Sequence, residues 1–222
     1  MCLKLIHHPV CPHSRFIRLA LHEYGLPVRL IGERVWERRE EFLLLNPAGT
    51  LPVLLAEGRL PVPGAAIIAE YLAEVQSDEF RREELLPREP SARIEVRRLM
   101  YWFNDKFFAE VSGPLTAERY KQYMPRDAGG GSPDYEAIRT ARENILPHLA
   151  YIDLLVRGHG WLAGDKLTYA DLAATAHLSA VDNLDDLSWV EAKTAKGWLA
   201  RMQSRPSFRS LLGEGWKGFV PR

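Results

Sequence analysis

The sequence has only two cysteines, Cys2 and Cys11, among its 222 residues. Small secreted domains depend on several disulfides, so this count excludes a disulfide framework and indicates a reducing, cytoplasmic setting. An excess of charge is also missing, because 29 lysines and arginines balance 29 aspartates and glutamates. A chain without net charge has no overall field that draws it to nucleic acid or to an anionic membrane. We expect neither as a partner.

Long apolar runs are absent as well. No uncharged stretch approaches the roughly 20 residues that cross a bilayer, and the start, MCLKLIHHPV, lacks the apolar part of a signal peptide. His7, His8 and His13 lie near one another, but no acidic or histidine pair at ligand spacing accompanies them, so we expect no metal site. The remaining composition, 46% hydrophobic and 26% charged, predicts a soluble globular protein of the cytoplasm.

The first eighty residues alternate strand and helix patterns. CLKLIH is typical of a strand, SRFIRLALHEY of an amphipathic helix, and PVRLI of a second strand. ERREEFLLL indicates another helix, PVLL and RLPV two closely spaced strands, and AAIIAEYL a third helix. This order predicts a small α/β domain with a mixed sheet, which we place at residues 1–77.

The rest of the chain shows almost only helical patterns. A charged, proline-bounded linker is predicted at residues 78–88, followed by an all-helical domain at 89–222. RDAGGGSP alone has the composition of a flexible loop. Periodic apolar residues predict helices over four segments: 91–111, 134–156, 168–182 and 191–204.

The segment CPHS, residues 11–14, lies between the first predicted strand and the first predicted helix. A thiol at a helix N-terminus has its thiolate stabilised by the helix dipole and free N–H groups, and His13 and Arg15 would add positive charge. A structural interpretation stays open, in which Cys11 is a small residue at a turn and Ser14 is the N-cap. Cys11 and Ser14 are the candidate catalytic residues.

A second local pattern precedes the helix predicted at 168–182. Thr168 and Asp171 stand three residues apart before an apolar run, and Leu167 precedes them. This spacing predicts a capping box, in which the two side chains satisfy backbone N–H groups at the helix start. Its role is structural.

Four segments together carry a family resemblance: HPVCPHSRFIRLAL, NPAGTLPVL, AIIAEYL and LAGDKLTYADL. Their order and spacing are similar to those of the cytosolic glutathione transferase superfamily, over essentially the whole chain. The resemblance implies a thioredoxin-like N-terminal domain with a cis peptide bond before Pro52, an all-α C-terminal domain and a two-fold homodimer. It also aligns Cys11 with the nucleophile of the cysteine-containing classes.

One part of the family pattern is missing. The third helix of these transferases usually begins Glu/Asp-Ser-x-Ala-Ile, and its serine and backbone N–H groups hold the γ-glutamyl carboxylate of glutathione. Gly64 and Ala65 occupy those positions here, and each lost hydrogen bond to a charged group is worth about 1.5–3 kcal/mol. We expect a degraded glutathione site around Leu51, Pro52, Gly64 and Ala65, and no cofactor. Cys11, by contrast, favours the alternative, in which glutathione is the cofactor.

A narrower resemblance is carried by EVRRLMYWFNDKFFAEVSGPLTAERYK, VWERREEFLLLNPAG, WLAGDKLTYADLAATAHLSAVDNLDDL and SRPSFRSLL. These segments are similar to a group of glutathione-transferase-like bacterial division proteins, which bind the tubulin-like FtsZ polymer and are regarded as non-catalytic. The resemblance implies an FtsZ-binding adaptor at the division site. The alternative is an enzyme, a thiol transferase, reductase or glutathione transferase that uses Cys11 or Ser14.

Three residues are candidates for contact with that partner. Trp36, among the charges of RVWERRE, could be an exposed anchor or could fold against its own domain. Arg97 and Arg98 could contribute to docking or form a solvated helix face. Segment 91–111 carries more apolar bulk than one helix face needs, which favours burial in a homodimer; the residues concerned are Leu99, Trp102, Phe103 and Phe107.

Overall fold

The computed structural model describes residues 3–75, 84–181, 189 and 192–212. Its first part is built on a four-stranded sheet in the order β2-β1-β3-β4. The strands are β1 (Leu3–His7), β2 (Val28–Gly32), β3 (Val53–Ala56) and β4 (Val62–Pro63). Strand β1 is parallel to β2 and antiparallel to β3, which pairs antiparallel with β4. The predicted mixed sheet is confirmed.

Three helices accompany this sheet: α1 (Pro12–Glu23), α2 (Glu40–Leu45) and α3 (Ala65–Val75). Helix α2 is shorter than the pattern ERREEFLLL predicts. Arg38 takes the left-handed φ of 44° and separates α2 from a single 3-10 turn at Val35–Glu37. The peptide bond between Leu51 and Pro52 is cis, as the family resemblance implies.

In the second part, the regular secondary structure of the described residues is helical. Its helices are α4 (Pro90–Tyr101), α5 (Gly113–Lys121), α6 (Tyr135–His159), α7 (Tyr169–Ser179), α8 (Lys193–Gln203) and α9 (Pro206–Arg209). Between α4 and α5 the backbone continues as a π-helical segment, Trp102–Ser112. The fold is therefore the predicted one, an α/β domain followed by an all-α domain.

Helices α1 and α7 join the two parts through one hydrophobic core. Phe16 on α1 and Tyr169 on α7 are fully buried, and their rings meet edge to face at 5.8 Å. The hydroxyl of Tyr169 lies 2.9 Å from that of Tyr24, the residue after α1, and donates to the Ala69 carbonyl of α3 at 3.1 Å. These contacts fix the second domain against the helices that frame the sheet.

The capping box at the start of α7 is confirmed. Thr168 Oγ1 accepts from the Ala170 N–H at 3.3 Å, and Asp171 Oδ2 accepts from the Thr168 N–H at 3.0 Å. Asp171 Oδ1 also accepts from the Leu162 N–H and from Trp198 Nε1, each at 3.0 Å. Asp171 is fully buried, so these bonds satisfy a carboxylate that has no contact with water.

Several boundaries differ from the predictions. The helix predicted to end near residue 111 continues through the π-helical segment into α5, and the patterns did not predict α5 or the short α9. The domain end at residue 77 and the first six residues of the predicted linker lie outside the described residues. Among the described helices, none is long and apolar enough to cross a membrane.

Candidate functional site

A cavity of about 510 Å³ lies between the two domains. The first domain contributes the start of α1, the loop before β3 and the start of α3, and the second contributes the π-helical segment and α5. The residues that line it are mostly apolar. Cys11, Leu51, Gly64 and Ala65, four of the predicted site residues, meet here, so the cavity corresponds to the predicted site.

Cys11 is the N-cap residue of α1 and is half-buried at the cavity wall. Pro12 occupies the first helical position, which needs no intrahelical N–H bond. The alternative in which Ser14 caps the helix is wrong, because the N-cap residue is Cys11, three residues earlier. Ser14 is fully buried, and its Oγ lies 3.4 Å from the His8 N–H, which donates to it.

His13 is the main group that lowers the pKa of the Cys11 thiol. Its Nε2 donates to the Asn104 carbonyl at 2.9 Å, across the domain boundary, which leaves Nδ1 for Cys11. Burial raises the pKa of Cys11, but hydrogen bonds from His13 and Ser14 outweigh it and bring the pKa below its usual value. Burial lowers the pKa of His13, yet the thiolate and the Asn104 carbonyl raise it overall. Each group therefore favours the charged form of the other.

Arg15 does not assist the thiol as the sequence suggested. Its Nε donates to the Pro9 carbonyl at 2.6 Å, and its Nη1 donates to Ser179 Oγ at 2.9 Å. The guanidinium thus ties the start of α1 to the end of α7. The positive charge beside Cys11 comes from His13.

A buried chain of polar groups supports the carbonyl that holds His13. The Asn104 amide donates to the Met100 carbonyl at 3.0 Å, so its Oδ1 accepts from His177 Nε2 at 3.2 Å. His177 Nδ1 then accepts from Ser112 Oγ at 2.8 Å. Burial keeps the pKa of His177 well below its usual value, and His177 is neutral at physiological pH. No local pattern marked Asn104, Ser112 or His177. Two of their contacts join residues 65 or more positions apart, and the third joins the π-helical segment to α4.

The start of α3 forms the opposite wall of the cavity. Gly64 donates its N–H to the Pro52 carbonyl at 2.9 Å and has φ of 88°, a conformation that side-chain-bearing residues rarely adopt. Ala65, Ala66 and Ile67 follow as the first helical residues. Their backbone N–H groups lie in the first turn, where a helix favours an anion. Neither Gly64 nor Ala65 supplies a side-chain donor or acceptor there.

The charge of the cavity wall is unlike that of an anion site. The described residues that line it include no lysine or arginine, but they do include the carboxylate of Asp105. Glutathione carries two carboxylates, and the α3 N-terminus lies at the cavity wall where it could offset one of them. The lack of lysine and arginine among the described lining residues and the missing side-chain contacts at Gly64 and Ala65 both disfavour glutathione binding.

Trp36 lies on the rim of this region and is half-buried. Its ring contacts His8 at 5.7 Å and Tyr120 at 5.3 Å, between centroids. Tyr120 belongs to α5, so Trp36 packs against both domains. Part of the indole stays accessible. Trp36 therefore packs against its own chain, as one interpretation has it, and also keeps exposed area for a contact, as the other requires.

Arg97 and Arg98 are half-exposed on α4 and are engaged in ion pairs. Arg97 makes a two-point contact with Glu70 of α3, at 2.8 and 2.7 Å. Arg98 makes a similar contact with Glu95 and donates to the Tyr151 hydroxyl at 2.7 Å. Both guanidinium groups form part of a solvated face.

The argument from apolar bulk in segment 91–111 is wrong. Leu99, Phe103 and Phe107 are fully buried within the chain itself, and Trp102 is half-buried with its Nε1 donating to His148 Nδ1 at 3.1 Å. The exposed apolar residues of α4 are different ones, namely Ile94 at 65% and Tyr101 at 68% exposure.

No group of three potential metal-ligating side chains occurs within the described ranges. His7 and His8 are buried, and burial is the main cause that lowers their pKa values to about 4 and about 3. Both imidazoles are neutral at physiological pH.

Comparison with known proteins identifies the family. A family profile described as "Glutathione S-transferase, N-terminal domain" matches residues 10–75, and one described as "Glutathione S-transferase, C-terminal domain" matches residues 133–213. The chain belongs to the glutathione S-transferase family. A glutathione S-transferase from Sinorhizobium meliloti is similar in structure, with a TM-score of 0.93 and 47% identity, over 100% of this chain and 96% of that one.

A curated relative and a further solved structure are also similar over nearly the whole chain. "FtsZ-localized protein A" of Caulobacter vibrioides is 40% identical over 98% of this chain and 94% of its own. The structure titled "FzlA from C. crescentus" has a TM-score of 0.87 and 39% identity, covering 100% of this chain and 96% of that one. The similarity to these two proteins thus extends over 98% or more of this chain.

Proposed function

We propose that this glutathione S-transferase family member is a cytoplasmic adaptor that binds the FtsZ polymer at the bacterial division site and needs no catalysis for that role. The observation that carries the proposal is the 40% identity to FtsZ-localized protein A, which spans 98% of the chain. The matched span includes the surface helices as well as the buried core. A surface that contacts a partner is therefore within the shared region.

The cavity adds physical support. Gly64 and Ala65 stand where transferases use side chains to hold glutathione, and no lysine or arginine of the described residues lines the wall. A transferase that depended on glutathione would lose about 1.5–3 kcal/mol for each missing charged hydrogen bond. An adaptor needs the fold but not a glutathione site. The missing side-chain contacts at Gly64 and Ala65 are therefore consistent with a protein that binds its partner through the outer surface.

We further propose that the adaptor is a homodimer joined through α3 and α4. Ile67, Ile94 and Tyr101 are apolar residues of these helices with 60–68% exposure. A two-fold dimer would present two identical docking surfaces to a polymer of repeated subunits. Simultaneous engagement of both raises the effective affinity without any new contact.

Co-sedimentation with assembled FtsZ tests the adaptor role. The protein should pellet with FtsZ polymer in the presence of GTP, and should stay in the supernatant when GTP is omitted or FtsZ is absent. An unrelated transferase of the same fold is the matched control. If the purified protein stayed in the supernatant at every FtsZ concentration, the adaptor proposal would be overturned.

A second candidate function, glutathione-dependent thiol transfer, rests on one observation. Cys11 lies at the start of α1 beside His13, which favours its thiolate. A thiolate is the species that attacks a disulfide sulfur. Reduction of a small mixed disulfide by glutathione, lost in Cys11→Ala, would support this candidate.

A further inference from the structure

A second, smaller cavity of about 150 Å³ lies between α5 and α6, next to the end of α7. Helix α5 separates it from the cavity beside Cys11, because different side chains of this helix line the two spaces. Thr116 and Ala117 line the larger cavity, whereas Glu118 and Arg119 line the smaller one. The smaller cavity is therefore a separate site.

Two guanidinium groups line the smaller cavity, those of Arg119 on α5 and Arg142 on α6. Arg119 is half-buried, and burial lowers its pKa, so its charge lies where water solvates it poorly. An anion is attracted more strongly to a charge in such a place than to one at an open surface. Arg142 forms no ion pair within the described residues, although Arg139, three positions earlier on α6, is paired with Glu143 at 2.7 Å.

Glu118 is the one carboxylate among the described lining residues of this cavity. It is buried, its Oε1 accepts from Lys121 Nζ at 2.5 Å, and its Oε2 accepts from the Asp134 N–H at 2.8 Å. Because Lys121 balances the charge of Glu118, the two arginines give the cavity a net positive charge. An anionic ligand is therefore favoured over a cationic or an uncharged one.

The remaining walls and the volume limit the size of that anion. Leu115 of α5, Ile138 of α6 and Ala180, the residue after α7, contribute apolar side chains. Pockets for drug-sized ligands usually measure about 300 Å³ or more, so a short hydrocarbon stem with one acidic group matches this space better. Guanidinium groups bind a planar carboxylate through paired N–H groups, which makes a carboxylate the matching acid.

We propose that this cavity binds a carboxylate on a short hydrocarbon stem, held by Arg119 and Arg142 and packed against Leu115, Ile138 and Ala180. The ligand is either a free short-chain acid or a glutamate side chain of a protein segment, since both carry the same carboxylate and stem. The site is independent of FtsZ binding and of Cys11.

NMR titration of the full chain with sodium butyrate at neutral pH tests the proposal, with butyramide as the uncharged probe of the same shape. Butyrate should shift the amide signals of α5 and α6 around the cavity, and butyramide should bind at least about tenfold more weakly. Affinity should rise from formate to butyrate, by up to about fourfold for each added methylene, and fall at octanoate, whose chain is too long for the cavity.

A blocked glutamate, N-acetylglutamate α-methylamide, distinguishes the two sources of the carboxylate. It presents the side-chain carboxylate as a peptide does. Binding tighter than that of butyrate identifies a protein segment as the source, and weaker binding identifies a free acid. Both results support the carboxylate site.

Substitutions of single arginines assign the binding to this cavity. Arg142→Gln should weaken butyrate binding about tenfold. Arg139→Gln is the matched control, because Arg139 lies on the same helix but outside the cavity lining, and it should leave the affinity unchanged. Arg119→Lys keeps the charge of a half-buried residue but loses the paired N–H groups, so it should bind butyrate several-fold more weakly while the amide spectrum stays that of the folded protein.

Three results would overturn the proposal: no shift around the cavity at any butyrate concentration, equal affinities for butyrate and butyramide, or Arg142→Gln binding butyrate as tightly as the unmodified protein. FtsZ co-sedimentation on the same preparation keeps the two proposals distinct. Failure to bind butyrate with normal pelleting refutes only the carboxylate site, and normal butyrate binding without pelleting refutes only the adaptor role.

Discussion

Glu23 on α1 forms a two-point ion pair with Arg205, the residue before α9, and both N–O distances are 2.8 Å. Ser207 Oγ adds a hydrogen bond to the same carboxylate at 2.5 Å. The Glu23 side chain is 8% exposed and that of Arg205 is 24% exposed. The last described helix is thereby attached to the first helix of the chain, 182 residues away.

This ion pair predicts a pH-dependent contribution to stability. Burial raises the pKa of Glu23, but Arg205 and Ser207 lower it below the usual 4.5. Its contribution is thus present above pH 4.5 and is lost as the pH falls through the lowered value. At neutral pH, Glu23→Gln should lower the free energy of unfolding by about 2–3 kcal/mol in urea titrations, and less in acid.

An exposed pair of the same residue types serves as the control. Glu37 lies 3.1 Å from Arg34, and their side chains are 40% and 33% exposed. Glu37→Gln should change the free energy of unfolding by less than about 1 kcal/mol, because water and salt screen such a pair. Equal effects of the two substitutions would contradict the interpretation of Glu23.

The capping box of α7 gives a second prediction. Asp171→Ala removes the acceptor of the N–H groups of Leu162, Thr168 and Trp198, and it leaves them buried without a partner. The loss should be about 3 kcal/mol or more in chemical denaturation. Asp134 caps the exposed start of α6, and Asp134→Ala should cost only about 1 kcal/mol.

The capping box of α7 and the apolar face of α4 show what a sequence can and cannot predict. Thr168 and Asp171 are three residues apart, so their local contact follows from spacing alone. The bond from Trp198 to Asp171 is not local, and nothing in the helical pattern around Trp198 indicates it. Periodicity likewise predicted that α4 buries an apolar face, but it could not tell burial against α7 from burial against a second copy.

In the candidate site, too, some features could be predicted from the sequence and others could not. The position of Cys11 at a helix start and the missing side chains at Gly64 and Ala65 could be predicted from motifs. The Asn104 carbonyl that holds His13 could not, because backbone groups carry no sequence signal and the contact crosses 91 positions. The π-helical course of Trp102–Ser112 also shifts its side chains relative to the ordinary helical period.

Glutathione should bind with a millimolar or weaker dissociation constant, about −4 kcal/mol, by titration calorimetry. Ala65→Ser should improve the affinity about tenfold, since a hydroxyl at the start of α3 restores one hydrogen bond to the ligand carboxylate. Ala66→Ser, one residue further on the cavity wall, is the control. Micromolar binding by the unmodified protein would remove the reason for regarding this site as degraded.

Restoring the acidic residue as well is expected to reduce stability. Gly64 has φ of 88°, and a Cβ there meets Ile67 at 3.9 Å, so space is available and the backbone conformation is the obstacle. Gly64→Glu should lower the free energy of unfolding by about 1–3 kcal/mol. Comparison of Gly64→Glu with Gly64→Ala by urea titration separates backbone strain, which both share, from any effect of the carboxylate.

Light scattering at micromolar concentration should give the mass of a dimer. Ile94→Asp should produce monomers, because in a two-fold interface each substitution occurs twice and the dissociation constant should rise by about 100-fold or more. Leu154 on α6 is 66% exposed, close to the 65% of Ile94, so Leu154→Asp is the matched control and should stay dimeric. A monomer mass for the unmodified protein would refute the dimer.

The last prediction separates the adaptor from the enzyme. Cys11→Ala should leave FtsZ co-sedimentation unchanged, because Cys11 lines the cavity between the domains and the adaptor proposal places FtsZ on the outer surface. Trp36→Ala should weaken it, since loss of an aromatic anchor typically costs about 2 kcal/mol, or thirtyfold. Trp161, equally half-buried and stacked on Arg201 in the second domain, provides the control Trp161→Ala, which should bind normally. An enzyme would show the reverse, with turnover lost in Cys11→Ala and retained in Trp36→Ala, and that pattern together with no FtsZ binding would refute the adaptor role.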